Sequence, residues 1–258
     1  MNRRHLALCA TALACLGSLP LTAMANPLEI AGSTTVDKTV VEPTVAAARA
    51  ATGIEPKMMA VGSVKGLQML VEGRVKVAAL SDTLEEAVAA LKKAGVTTIP
   101  GNLKFNPVVN EQLVPIVHPS NPVKALSREQ LRDLFSGKIT NWKDVGGPDA
   151  PVVPVVAAAN SGTRGVFDRA ILGTQKAAAS AKEVRTAAAE VAEVARTSGA
   201  IGMVGEGTAA GGGSKIKEIN GPAVSRTLGF VTLGEPGADV AKLIAWWRTP
   251  EAQKLFAK

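Results

Sequence analysis

The chain has 258 residues, 47% of them hydrophobic and 20% charged, with a formal net charge of +7. That is enough apolar material for a substantial core and too little charge for a disordered chain. Aromatic residues make up only 3%, tyrosine is absent and no long basic run occurs, which argues against a nucleic-acid-binding protein.

From its start, the sequence reads as an export signal over residues 1–25. Asn2-Arg3-Arg4-His5 is a basic leader and residues 6–21 are apolar. Ala23-Met24-Ala25 then gives a small-x-small cleavage pattern that leaves Asn26 as the mature N-terminus. Both cysteines, Cys9 and Cys15, fall inside this segment, so the mature chain is expected to carry no disulfide and no thiolate site. His118 is the one histidine beyond it, too few for a histidine zinc site or a Ser-His-Asp triad. No metal or cofactor is therefore expected. No later stretch approaches the ~20 apolar residues of a membrane span, and a soluble monomer is expected.

Past the signal, short apolar runs alternate with helix-like stretches, which predicts an α/β architecture with a mainly parallel sheet. Strands are expected at 28–31, 58–61 and 75–80, with helices at 41–51, 67–71 and 85–94. Residues 113–117 form a fully apolar strand, followed by the turn chemistry of His118-Pro119-Ser120-Asn121-Pro122. Ser127-Arg128-Glu129-Gln130 is a capping box opening a helix that Gly137 ends. A buried strand at 152–156 precedes a helix at 165–172. A helix is then expected over 182–196, a strand at 201–204, a loop at 209–214 and a strand at 228–233. An amphipathic helix over 238–256, interrupted near Thr249-Pro250, closes the chain.

Three segments share one design, placing glycine and small hydroxyl residues where a strand should turn into a helix. They are Gly32-Ser33-Thr34-Thr35, Gly62-Ser63-Val64-Lys65-Gly66 and Ser161-Gly162-Thr163-Arg164-Gly165. A helix start leaves about four N–H groups without intrahelical partners and favours negative charge, so each segment is a potential anion cradle. Each can equally be an ordinary Ser/Thr N-cap. The fourth segment is Leu80-Ser81-Asp82-Thr83, where Asp82 either caps the helix beginning near Leu84 or faces a ligand. A carboxylate repels deprotonated sulfate but accepts a hydrogen bond from hydrogen phosphate. The sequence identifies no salt-bridge partner for Asp82.

Residues 126–147, running through Gly137-Lys138-Ile139-Thr140-Asn141-Trp142-Lys143-Asp144-Val145-Gly146-Gly147, closely resemble a signature of the phosphate-binding proteins of high-affinity phosphate ABC transporters. So do Gly32-Ser33-Thr34-Thr35-Val36, Ser161-Gly162-Thr163-Arg164, Ser198-Gly199-Ala200-Ile201-Gly202 and Thr249-Pro250-Glu251-Ala252-Gln253. The resemblance spans the mature chain in order. It implies a two-lobed periplasmic-binding-protein fold of type 2, with the ligand in the cleft between the lobes. Crossovers are expected near Val117-His118 and Met203-Val204, giving residues 26–117 plus 204–258 as the first lobe and 118–203 as the second. It aligns Thr34, Thr35, Ser63, Asp82, Ser161, Gly162 and Thr163 with the family's ligand contacts. It also implies a non-enzymatic periplasmic protein that holds phosphate or a related oxyanion for an ABC transporter. Three features depart from the pattern. Ala157 stands where many members carry an arginine directed at phosphate, which leaves Arg164 as the candidate to compensate. Met203 replaces a tyrosine, and residues 206–226 are abbreviated. A sensor or scavenger of another anion in the same fold is the alternative. A hydrolase using Ser161 or Thr163 would need His118 as its base, and His118, flanked by Val117 and Pro119, reads instead as a hinge residue.

Overall fold

The β-branched and alanine-rich runs form nine strands among the described residues, which in the computed structural model are 27–159 and 161–256. The expected export signal, with Cys9 and Cys15, and the expected cleavage junction at Asn26 lie outside them. The strands are β1 (Leu28–Gly32), β2 (Pro56–Met59), β3 (Val77–Leu80), β4 (Leu103–Val117), β5 (Val153–Ala157), β6 (Lys182–Val184), β7 (Ala200–Gly205), β8 (Lys217–Glu218) and β9 (Ser225–Leu233). They lie in the order β2-β1-β3-β9-β4-β7-β5-β6, with β8 beside β4. The sheet is parallel at its flanks, where β1 pairs with β2 and β3, and β5 with β6 and β7. Through its centre, at β3–β9, β9–β4 and β4–β7, it is antiparallel. The sequence showed the parallel flanks better than this antiparallel middle, because the middle is assembled from strands far apart in the chain.

The long strand β4 divides the molecule. From Leu103 to Gln112 it pairs with β9, with a bulge between Pro107 and Val109; from Leu113 to Val117 it pairs with β7. Ile30, Val40, Leu228, Phe230 and Trp247 pack one face of the first part of the sheet, and Leu67, Leu70, Leu80 and Leu91 the other. In the second part the corresponding layers are Leu113, Phe135, Trp142 and Phe167, and Ile116, Val155, Val194 and Val204. Each half is thus a sheet buried on both faces, as parallel flanks require. The exchange of partners falls at Gln112/Leu113 and at Val224/Ser225, not at the expected Val117-His118 and Met203-Val204. Residues 206–224 stay with the second half because Ile216, Ile219 and Val224 are buried there.

Local chemistry fixes the helices. Ser127 accepts from the Gln130 N–H while the Gln130 side chain accepts from the Ser127 N–H, the expected capping box. The Gly137–Gly147 signature turns out to be packing rather than ligand chemistry. Trp142 is fully buried and donates through Nε1 to the Gly199 carbonyl at 2.8 Å, joining two of the motifs that carry the family resemblance. Three expectations change. Residues 182–184 are strand β6, not the start of a helix, because they pair with Val155–Ala157 and Thr186 caps the helix Ala187–Arg196. The helix after β5 begins earlier, at Gly162, and residues 209–210 of the expected loop belong instead to the short helix Glu206–Ala210. The half of β4 before Leu113 went unread, since Pro107 and alternating polar residues hide it.

The helix Ser63–Val71 lies directly against β1. A Cβ on Gly66 would run into the Gly32 Cα and the Ala31 backbone. Overpacking of this kind costs about 1–3 kcal/mol or more, since backbone cannot swing aside like a side chain. Gly66→Ala should therefore lower the melting temperature and shift Ser63 away from the cleft. A thermal melt matching wild type would contradict this packing.

Candidate functional site

Each of the three glycine–hydroxyl turns sits at the carboxyl end of a strand, the usual place for ligand sites in open α/β sheets. They do not behave alike. Ser33 satisfies its own short helix, its Oγ accepting from the Thr35 and Val36 N–H groups at 3.2 and 3.3 Å. Thr83 and Thr186 cap their helices in the same way. The helix Ser63–Val71 and the helix opening at Gly162 receive no side-chain cap, so the donors of their first turns are not satisfied from within.

These two uncapped starts meet across the seam between the halves. Ser63 Oγ lies 3.4 Å from Ser81 Oγ and accepts from the Ser81 N–H at 3.4 Å. Gly162 packs against this pair so closely that a Cβ there would lie 2.7 Å from Ser81 Oγ and 2.9 Å from Ser63 Oγ. Only glycine fits that approach. Thr35 Oγ1 and Thr163 Oγ1 are 3.2 Å apart, joining the first half to the second. Thr34, Ser63, Ser161 and Gly162, with Arg185, line an open cleft of about 550 Å³ at this seam. The structure thus brings together Thr34, Thr35, Ser63, Ser161, Gly162 and Thr163.

Two of the expected site residues are placed differently. Asp82 does not cap its helix; Thr83 does. Asp82 is nearly buried at the same seam, its Oδ1 accepting from the Thr83 N–H at 2.8 Å and from the Arg169 guanidinium. The expectation that it has no ionic partner is therefore corrected: Arg169, from the opposite half, pairs with Asp82 and lies 3.4 Å from Glu86. Asp82 opens onto a neighbouring groove shared with Arg169 and Arg226 rather than onto the cleft of Thr34 and Ser63. Arg164 donates to the Ala157 carbonyl at 3.0 Å and to Asp168 at 2.7 Å, which turns its guanidinium along β5 and away from the cleft hydroxyls. His118 is bound to Ser120, 2.8 Å away, so no base stands beside Ser161 or Thr163 among the described contacts.

Sequence reasoning missed three residues here. Ser81 was overshadowed by Asp82. Glu111 on β4 and Arg226 on β9 are register partners that form a fully buried ion pair, with Arg226 Nε 2.8 Å and Nη2 2.6 Å from Glu111 Oε2. Arg226 Nη1 also donates to Thr163 Oγ1 at 2.6 Å. The signal was a charged residue within each of two strands that should be buried, 115 positions apart. Behind the site, burial pushes the Glu190 carboxyl up to about 8, partly offset by the Met203 N–H donating to Oε1 at 2.7 Å. Its Oε2 has no partner among the described residues; a cavity of about 10 Å³, close to the room one water needs, adjoins it with Ala157, Thr163 and Arg164. No group of three His, Cys, Asp or Glu among the described residues is placed to hold a metal ion. Nor is any described helix long and apolar enough to cross a membrane.

Residues 20–241 match the family described as the PBP superfamily domain. The phosphate-binding protein PstS of Bacillus subtilis (strain 168) is 30% identical over 149 residues, 57% of this chain and 46% of that protein. Protein SphX of Synechococcus elongatus is 30% identical over 118 residues, 43% of this chain and 34% of that one. The matched segments therefore span less than half of either relative. A protein from Clostridium perfringens, assigned as a phosphate ABC transporter substrate-binding protein and solved with bound phosphate, superposes with a TM-score of 0.78. It is 25% identical, over 90% of this chain and 99% of its own. An ABC-type phosphate transport receptor from Vibrio cholerae has the same fold, with a TM-score of 0.66 at 24% identity over 89% and 96% of the two chains.

Glu190 gives the site region a pH signature. Its carboxyl titrates near 8 in the folded chain against 4.5 in the unfolded one. Below 4.5 both forms hold the proton and folding bears no penalty. Between 4.5 and 8 the unfolded chain releases it while the fold retains it, so stability falls as pH rises. Glu190→Gln, which keeps an acceptor for the Met203 N–H, should therefore melt above wild type by a margin that grows from about pH 5 to about pH 8. An equal margin at both pH values would contradict this.

Proposed function

The chain belongs to the PBP superfamily, with an α/β fold of the type 2 periplasmic-binding kind, and on that premise we propose that it is a solute-binding protein holding phosphate in the interlobe cleft for an ABC transporter. The observation that carries this reading is the meeting of two uncapped helix starts, at Ser63 and Gly162, with Thr35 and Thr163 across the seam. Such a place presents donors from both lobes and lets closure desolvate a small oxyanion on every side. The phosphate named for the Bacillus subtilis relative and bound in the Clostridium perfringens structure supports the choice of anion. On this reading the ligand contacts are Thr34, Thr35, Ser63, Ser161, Gly162 and Thr163, with Ser81 added. The protein works as an exported periplasmic monomer that binds without catalysis.

Asp82, whose Oδ2 lies beside Gly165 of the second helix start, is assigned the discrimination between anions, a role that requires its carboxylate to turn from the neighbouring groove toward the cleft when the ligand binds. Its negative charge meets sulfate as repulsion and hydrogen phosphate as a hydrogen-bond donor. Arg169 tempers that charge and ties the two lobes together.

Calorimetric titration of the purified protein with phosphate, sulfate, arsenate and molybdate tests the reading. Phosphate and arsenate should bind, and sulfate should bind more weakly. Ser63→Ala and Thr163→Ala should each weaken phosphate binding by about 0.5–3 kcal/mol with unchanged circular dichroism, since each removes one donor. Unchanged affinity in both would place the site elsewhere. Asp82→Asn should narrow the phosphate-over-sulfate preference by admitting sulfate, whereas Arg169→Ala should weaken both ions and keep their order. An Asp82→Asn protein with the wild-type preference would assign Asp82 to the interlobe ion pair alone.

A further inference from the structure

Arg226 is fully buried, yet it is placed at the seam rather than in either core. Guanidinium has only donors to offer. Nε and Nη2 face one oxygen of Glu111, and Nη1 donates to Thr163 Oγ1. That last bond takes one lone pair of the Thr163 hydroxyl. Thr163 Oγ1 and Thr35 Oγ1 have two hydroxyl hydrogens between them and one hydrogen bond to share, at 3.2 Å. Whichever of the two donates, one hydrogen remains. It cannot point at Arg226, which accepts nothing, and no other acceptor for either hydroxyl lies within bonding distance among the described residues. Both threonines are buried to within 2% exposure, so bulk water does not take it up freely. Arg226 Nη2 likewise makes no well-aligned hydrogen bond, although it lies 2.6 Å from Glu111 Oε2. Among the described residues neither threonine hydroxyl has a further acceptor in reach; the one unpartnered acceptor of the ion pair, Glu111 Oε1, lies against Gly205 instead.

We propose that Arg226 is a positioning residue for anion recognition: anchored by Glu111, it occupies one lone pair of Thr163 Oγ1 and so turns the hydrogen left over in the Thr163–Thr35 pair away from itself and toward a bound anion. This rests on the anion-binding reading and deepens it. The direction in which the threonine pair donates is thus set by a side chain of the first lobe acting through a hydroxyl of the second. Glu111 neutralises the guanidinium's net charge, so what Arg226 imparts is the direction of the hydrogen bonds.

Replacing Arg226 alone would strand the Glu111 carboxylate in a buried place, which is strongly destabilising. The test therefore uses the neutral pair Glu111→Gln with Arg226→Gln, alone and combined with Thr163→Val, titrated with phosphate beside wild type and Thr163→Val. The pair should fold, by circular dichroism, and bind phosphate at least about tenfold more weakly, the scale of one charge-assisted bond. Thr163→Val should weaken binding in the wild type and have little further effect in the paired background, because the hydroxyl's orientation has already been lost. A purely structural role for the ion pair predicts additive losses instead. A folded pair with wild-type affinity, or additive losses, overturns the proposal while leaving the anion reading intact. Wild type that binds no phosphate overturns both. Should the pair fail to fold, the Arg226 Nε–H resonance of wild type decides. A shift on saturation with phosphate supports the proposal, and an unmoved resonance in a protein that binds phosphate rejects it.

Discussion

Two strands pass between the halves of this molecule, and at the place where they part they are joined by the buried pair of Glu111 and Arg226. Just beyond it, β4 leaves β9 for β7, and Gly205 of β7 packs against the Glu111 carboxylate. A buried ion pair contributes little to stability compared with apolar residues of the same size, because desolvation offsets its Coulomb attraction. Its effect here is one of position. It holds the crossover strands in register where they have no sheet neighbour in common, and it sends the third guanidinium nitrogen to Thr163. The crossover of the strands and the seam of Thr35 and Thr163 are thereby connected by three side chains.

The rest of the fold brings donors to that seam. Parallel strands on each flank end at the same edge, and the turns that follow them carry glycine and hydroxyl residues. Gly66 lets the helix Ser63–Val71 settle onto β1, and Gly162 lets the other helix start approach Ser63 and Ser81. Alanine at position 157 leaves only a small cavity beside Glu190, and its carbonyl takes the Arg164 guanidinium. The cation nearest the threonine pair thus comes from β9, in the first lobe, rather than from β5.

What was legible in the sequence was local. The capping box at Ser127, the apolar strand at 113–117 and the glycine–hydroxyl turns at Ser63 and Gly162 are each decided by neighbours within a few residues, and each stands where expected. Ser33 shows the limit of such reading: the same residue types make a self-satisfied cap instead of an open cradle. What failed was tertiary. Lys182–Val184 has helical propensity but is claimed by the edge of β5. Asp82 finds Arg169 across 87 positions, and Glu111 finds Arg226 across 115. Opposite charges that distant cannot be paired by spacing, so the two ion pairs that shape the seam were invisible until the strands were assembled.

In the proposed function, closure of both lobes on one oxyanion at the seam of Ser63 and Thr163 is the central event. Diffraction from crystals of the purified protein grown with arsenate, recorded at the arsenic absorption edge, tests it directly. A single strong anomalous peak is predicted within hydrogen-bonding reach of Ser63 Oγ, the Gly162 backbone and Thr163 Oγ1. A peak elsewhere, with this seam occupied by side chains alone, would contradict it.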